Sequence, residues 1–219
     1  MLFNAGLYPV TAMASKSYWP GPWEPSDVIV AYFQTHAGPV LTCLFLQFGA
    51  TICLGLFCAA VVSRLQFLGV RSAGPWIALT EGFLTVFNGV GASLAVWTMI
   101  HPRLVQTPSV LLGLYYFSYA LCGPGLSVPM GLFMAGVSVS SAFLKLLPKW
   151  LVGPGMILAV GGGLSWLYLV SPKLLFLIPL MRFSGFFWLI AVGFALPKTR
   201  SLSVEVAGLG PAQLGSRDR

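Results

Sequence analysis

Four stretches of this chain, roughly 39–62, 75–100, 151–170 and 174–197, are nearly unbroken apolar runs. Each is long enough to cross a ~30 Å hydrocarbon core as a helix. In lipid every backbone N–H and C=O must find its partner inside the protein, so such runs fold as helices. The rest of the chain has little to offer water. Only 8% of the 219 residues are charged, against about 25% in soluble domains. The expected fold is therefore all-α, a polytopic transmembrane helix bundle forming one domain over 1–198. The tail, 199–219, has no sustained apolar period and is expected to be disordered.

The region 110–144 is too long for one straight crossing, since 35 residues of helix would extend ~52 Å. Gly123, Pro124 and Gly125 interrupt it and should break the helix. The positive-inside tendency decides how often it crosses. With Arg64 and Arg71 placed inside, a single crossing puts six near-membrane Lys and Arg inside and three outside (Lys16, Arg103 and Lys173). Two crossings reverse that ratio. One crossing, 126–144, is expected, with 110–122 as an outer interfacial or re-entrant helix whose Tyr115, Tyr116 and Tyr119 suit the headgroup level.

Residues 2–15 read as a partial span. Taken as a helix, residues 2–14 would reach ~20 Å, so the first of about six helices is expected to be short or truncated. The longest connection, 18–36, carries Pro20, Pro22 and Pro25 and then a short helix with Ser26 as its N-cap. Trp19 and Trp23 are expected to anchor it at the interface. Both termini are expected in the cytoplasm.

The chain has a net charge of +7, but most of its basic residues sit in short loops between apolar runs and none forms a Lys/Arg-rich block, so nucleic acid is not an expected partner. The expected partners are membrane lipids and other membrane-protein subunits. Four cysteines without a CxxC pair, and two histidines, His36 and His101, at outer helix ends, supply no zinc pattern. Neither metal nor cofactor is expected.

Three segments carry a family resemblance: "SDVIVAYFQTHAGP" entering the second helix, "LPKWLVGPGMILAV" entering the fifth, and "LIPLMRFSGFFWLIAVGFAL" as the sixth. In these the chain resembles a widespread bacterial family of uncharacterised six-helix integral membrane proteins, a domain-of-unknown-function family. The resemblance covers most of residues 20–198 and implies the same helix count and orientation, in the cytoplasmic membrane. It implies no catalytic residue and no ligand.

Polar groups inside the spans are the candidate site. At ~1.5 Å per residue, Gln47, Asn88 and Arg182 all fall ~11–12 Å below the outer face, and Glu81 lies deeper, ~9 Å from the inner one. An unpaired arginine at that depth costs several kcal/mol. Glu81 is the one acid inside a span, so the expectation is an Arg182–Glu81 pair, or an Arg182–Asn88–Gln47 network with Glu81 neutral nearby. Small residues four apart, Gly49/Cys53, Gly89/Ser93, Gly131/Ala135 and Gly161/Ser165, are expected at close helix contacts.

Three functions compete. The polar-poor chain with short loops favours a non-enzymatic membrane component or complex subunit. The alternative is a small-molecule or lipid-binding or transport protein, which requires a cavity lined by aromatics, closed by 18–36 and reaching Asn88 and Arg182. A membrane enzyme using Glu81 as acid toward a lipid or isoprenoid is the weakest reading. Acid–base chemistry needs a positioned partner, and the other nearby acids, Glu24 and Asp27, are expected at the opposite face.

Overall fold

The computed structural model describes residues 2–11, 18–197 and 199, and among them the chain is helical without a strand. The helices are α1 (Leu2–Leu7), α2 (Ser26–Thr35), α3 (Ala37–Phe67), α4 (Gly74–Met99), α5 (Pro108–Cys122), α6 (Pro124–Phe143), α7 (Lys149–Leu164) and α8 (Leu177–Ala195). Short 3-10 turns extend α1 to Val10, α7 to Leu169, and α8 backwards to Pro172. Five helical stretches among the described residues are long and apolar enough to cross a membrane: α3, α4, α5 with α6, α7 with its 3-10 turn, and α8 with its own. The chain forms a membrane helix bundle.

Consecutive crossings pack side by side, α3 on α4, α4 on α6, α6 on α7 and α7 on α8. The row then closes on itself. At the end away from α2, Gly193 of α8 approaches the ring of Phe57 on α3, and the Nε of Arg64 donates to the Pro197 carbonyl at 2.7 Å. The core between the crossings is built from Leu54, Cys58, Phe133, Met134, Trp188 and Val192 and their neighbours. A second cluster, with Phe33, Val40, Met99, Leu111 and Tyr115 buried together, ties α2 to the ends of α3, α4 and α5.

α1 is shorter than the partial span expected at 2–15. It gives way to a 3-10 turn at Tyr8-Pro9, where proline has no N–H for a further α-turn. It lies antiparallel along the α2-end half of α3, with Phe3 beside Gln47 and Gly6 against Leu46. Residues 12–17 and all of the tail except Thr199 lie outside the described residues. The separate helix expected at 110–122 is present as α5. It stands against α4 rather than lying across the bundle end, with Leu121 of α5 against Gly91 of α4. α5 and α6 thus follow α4 in turn, as two halves of one broken crossing. Ser26 is the first residue of α2, and no side chain caps that helix.

The break explains Asn88. Pro129 sits inside α6 and has no N–H to give the carbonyl four residues back, which belongs to Gly125. A bare carbonyl in hydrocarbon costs several kcal/mol. The Asn88 amide, projecting from α4, donates to that oxygen.

Glycine sets the α6–α7 distance. A methyl group on Gly162 would lie 2.8 Å from both the Cα of Gly131 and the Ser127 carbonyl, whereas one on Gly163 would meet nothing. Of the four expected small-residue pairs, Gly89, Gly131 and Gly161 do sit at helix contacts, Gly161 against Met181 of α8. Gly49 meets nothing and Cys53 is exposed, so that pair faces outward. Gly162→Ala is expected to destabilise the bundle by about 1–3 kcal/mol through backbone displacement. Gly163→Ala is expected to be neutral or to stabilise by up to about 1 kcal/mol, because alanine is the better helix former. Reversible unfolding of both variants in mixed micelles measures the difference.

Candidate ligand cavity

Both halves of the broken crossing pack against α4; below Gly123 α6 also packs against α7 and α8, while above it α5 packs against α2 and reaches neither α7 nor α8 closely. The space between α5 and α8 on the α2 side is therefore unfilled by helix. It forms a cavity of about 590 Å³, within the ~300–1,000 Å³ of small-molecule sites. Val10, Leu44, Val96 and Ile178 give it apolar walls, and Tyr18, Trp19 and Trp23 from the connection before α2 lie at its mouth.

That connection is held down by specific contacts. Trp19 meets the Phe33 ring edge-on at 5.0 Å, and the buried Tyr115 hydroxyl donates to the Pro20 carbonyl at 2.7 Å. Gln34 of α2 donates to the Val105 carbonyl at 3.1 Å, joining α2 to the α4–α5 loop. The connection is not extended throughout: it turns at Pro22-Trp23, where the Glu24 N–H donates to the Gly21 carbonyl at 3.0 Å. One proline carbonyl then becomes the acceptor that fastens the mouth.

The floor is polar and has four contributors. Gln47 of α3 donates through Nε2 to the Phe3 carbonyl at 2.9 Å, which turns its Oε1 toward α8. The Nη2 of Arg182 donates to that oxygen at 3.3 Å, and Nη1 lies 3.7 Å from the Cys122 sulfur. The guanidinium carbon sits 5.1 Å above the Phe3 ring, a cation–π contact. Arg182 Nε is buried without an acceptor.

Two of the four expected polar residues thus come together, and two do not. Arg182 and Gln47 meet at the depth read from the helical rise. Asn88 is turned to the broken crossing and serves Gly125 instead. Glu81 is half-buried at the edge of the α4 stripe formed by Ala78, Gly82 and Thr85, and it forms no ion pair with Arg182. The expected Arg182–Glu81 pair is absent because depth along a helix does not fix azimuth: α4 presents Glu81 away from the α3–α8 seam where Arg182 lies. Cys122 and Phe3 were not anticipated. Each contributes an ordinary apolar-span residue type, and only packing brings it to the guanidinium. The two histidines also stay apart, His36 stacked on Tyr32 and His101 against Trp97.

Chemically the floor is a hydrogen-bond donor site with a fixed positive charge, since arginine stays protonated in proteins. Among the described residues it has no carboxylate or histidine, and so no acid–base pair. In unfolding experiments the costs of Arg182→Ala and Glu81→Ala are expected to add to within about 0.5 kcal/mol, as for residues sharing no partner. Arg182→Ala and Gln47→Ala are expected to depart from additivity by about 0.5–3 kcal/mol.

Comparison with known proteins finds no family model that matches the chain, no curated protein similar to it, and no solved structure that matches it.

Proposed function

We propose that this chain is a non-enzymatic membrane protein that binds a small amphiphile between its helices. The observation that carries this reading is the cavity: its walls are apolar, its mouth is aromatic, and its floor holds a cationic donor near mid-depth. A helix packed only for structural purposes has no need of an unfilled space above an arginine. Sites that bind small molecules have this composition, with mostly apolar lining and a few convergent polar groups. The absence of an acid–base pair at the floor, among the described residues, speaks for binding over catalysis.

Under this reading the α2 end faces outward and both ends of the chain are directed to the cytoplasm, an orientation supported by the bias of Lys and Arg toward the 68–73 and 144–149 side. The chain then stands among the six-helix bacterial membrane proteins it resembles, with α1 as a half-length first helix. The cytoplasmic membrane is its location. A role as a subunit of a larger membrane complex is the competing reading, and the same experiment separates the two.

Native mass spectrometry of protein gently extracted from its own membrane is expected to show a reproducible small adduct that is lost in Arg182→Ala. A stoichiometric protein partner with no small adduct would instead make the chain a complex subunit, with the cavity as a packing defect.

A further inference from the structure

Among the described residues, the arginine on the cavity floor has no counter-charge. Its five N–H donors meet one amide oxygen at 3.3 Å and one weakly accepting sulfur at 3.7 Å, and Nε meets nothing. The contacts it does make are neutral, so they hold the guanidinium in place without neutralising it. Gln47 is itself fixed by the Phe3 carbonyl, so the amide oxygen cannot turn away. The Phe3 ring covers one face of the guanidinium. A cation held this way in a low-dielectric region is a site made for an anion.

We propose that the cavity takes a single-chain amphiphile with its ionised carboxylate on Arg182 and its hydrocarbon chain along the apolar wall toward Trp19 and Trp23. The inference rests on the ligand-binding reading above and specifies the chemistry of the ligand. Three observations select that chemistry. First, the serine and threonine hydroxyls of the wall are engaged locally: Ser93 donates to the Gly89 carbonyl, Ser118 to the Tyr115 carbonyl and Thr11 to the Tyr8 carbonyl. They offer a polar ligand body little, and Arg182 supplies the donors. Second, among the described residues Arg182 is the one charged residue lining the space. One guanidinium matches one carboxylate, often through two parallel hydrogen bonds. A phosphate monoester carries close to two negative charges at neutral pH, which would leave about one uncompensated where compensation matters most. Third, the wall between floor and mouth is aliphatic and aromatic, from Val10, Leu44, Val96, Ile178 and Phe183, and suits a hydrocarbon chain rather than a sugar or a nucleobase.

The test uses the full chain in nanodiscs of zwitterionic lipid, which avoids a detergent competing for the cavity. Laurate, lauryl alcohol and dodecyl phosphate are titrated separately at neutral pH. Occupancy is read in two ways: as protection of Cys122 from a small neutral maleimide, resolved at the peptide level, and as bound mass in native mass spectrometry. Laurate is expected to protect Cys122, and to appear bound, at concentrations at least tenfold below those needed for the alcohol. Arg182→Gln is expected to abolish that difference. Equal occupancy by laurate and the alcohol would overturn recognition of an anion and leave the cavity reading standing. Stronger occupancy by dodecyl phosphate than by laurate would overturn the charge match. Binding of none of the three would overturn both this proposal and the ligand-binding reading on which it rests. The head-group comparison is made in the native chain, so it does not depend on how the variant folds.

Discussion

The backbone of this protein has no water to fall back on, and the arrangement of its helices follows from how it meets that constraint at one place. Pro129 deprives the Gly125 carbonyl of its helical donor, and Asn88 on the neighbouring crossing replaces it. Without Asn88 the first turn of α6 would leave a bare acceptor in hydrocarbon. The third of the five crossings is thus made of two halves. Both pack on α4, but the lower half also joins α7 and α8 whereas the upper half joins α2. The cavity is the space that this divergence opens.

The second consequence concerns charge. Where α8 passes the opened space, Arg182 has room to turn toward α1 and α3 and finds only neutral partners there. Its desolvation is partly relieved by an amide, a thiol and a ring face. That is enough to orient the guanidinium but not to cancel its charge. A structural arginine in a membrane bundle is usually paired with an acid. Here the acid that could have served, Glu81, points from another face of α4. The guanidinium, without a carboxylate partner among the described residues, lies beside the cavity, and the proposed ligand-binding reading rests on that juxtaposition.

The small-residue contacts show how sequence and packing divide the work. Gly131 and Gly162 bring α6 and α7 so close that neither position has room for a methyl group. Spacing alone marked Gly131, and it marked Gly161, which meets Met181 of α8, but it did not mark Gly162, the residue that meets Gly131. It also marked Gly49 and Cys53, which face outward. A four-residue repeat identifies a possible face of a helix. Which face meets another helix depends on rotation about the axis, and in a span that is apolar all round no amphipathic stripe reveals that rotation.

The sequence by itself determined the solvent, the helical class, the approximate limits of the spans and the break after Cys122. Apolar run length, proline and glycine act locally on the backbone, so these features need no neighbour to be read. It also determined depth: the helical rise put Gln47 and Arg182 in one layer, and they meet there. What only the tertiary structure decided was azimuth and neighbourhood. It decided that Asn88 serves a proline-freed carbonyl 37 residues further along the chain, that Glu81 stays apart from Arg182, and that Phe3 and Cys122 complete the floor. Those outcomes depend on how each helix is rotated against several others at once. No single segment contains that information, because lipid tails and helix interiors are equally apolar and the burial pattern that orients a helix in water is absent.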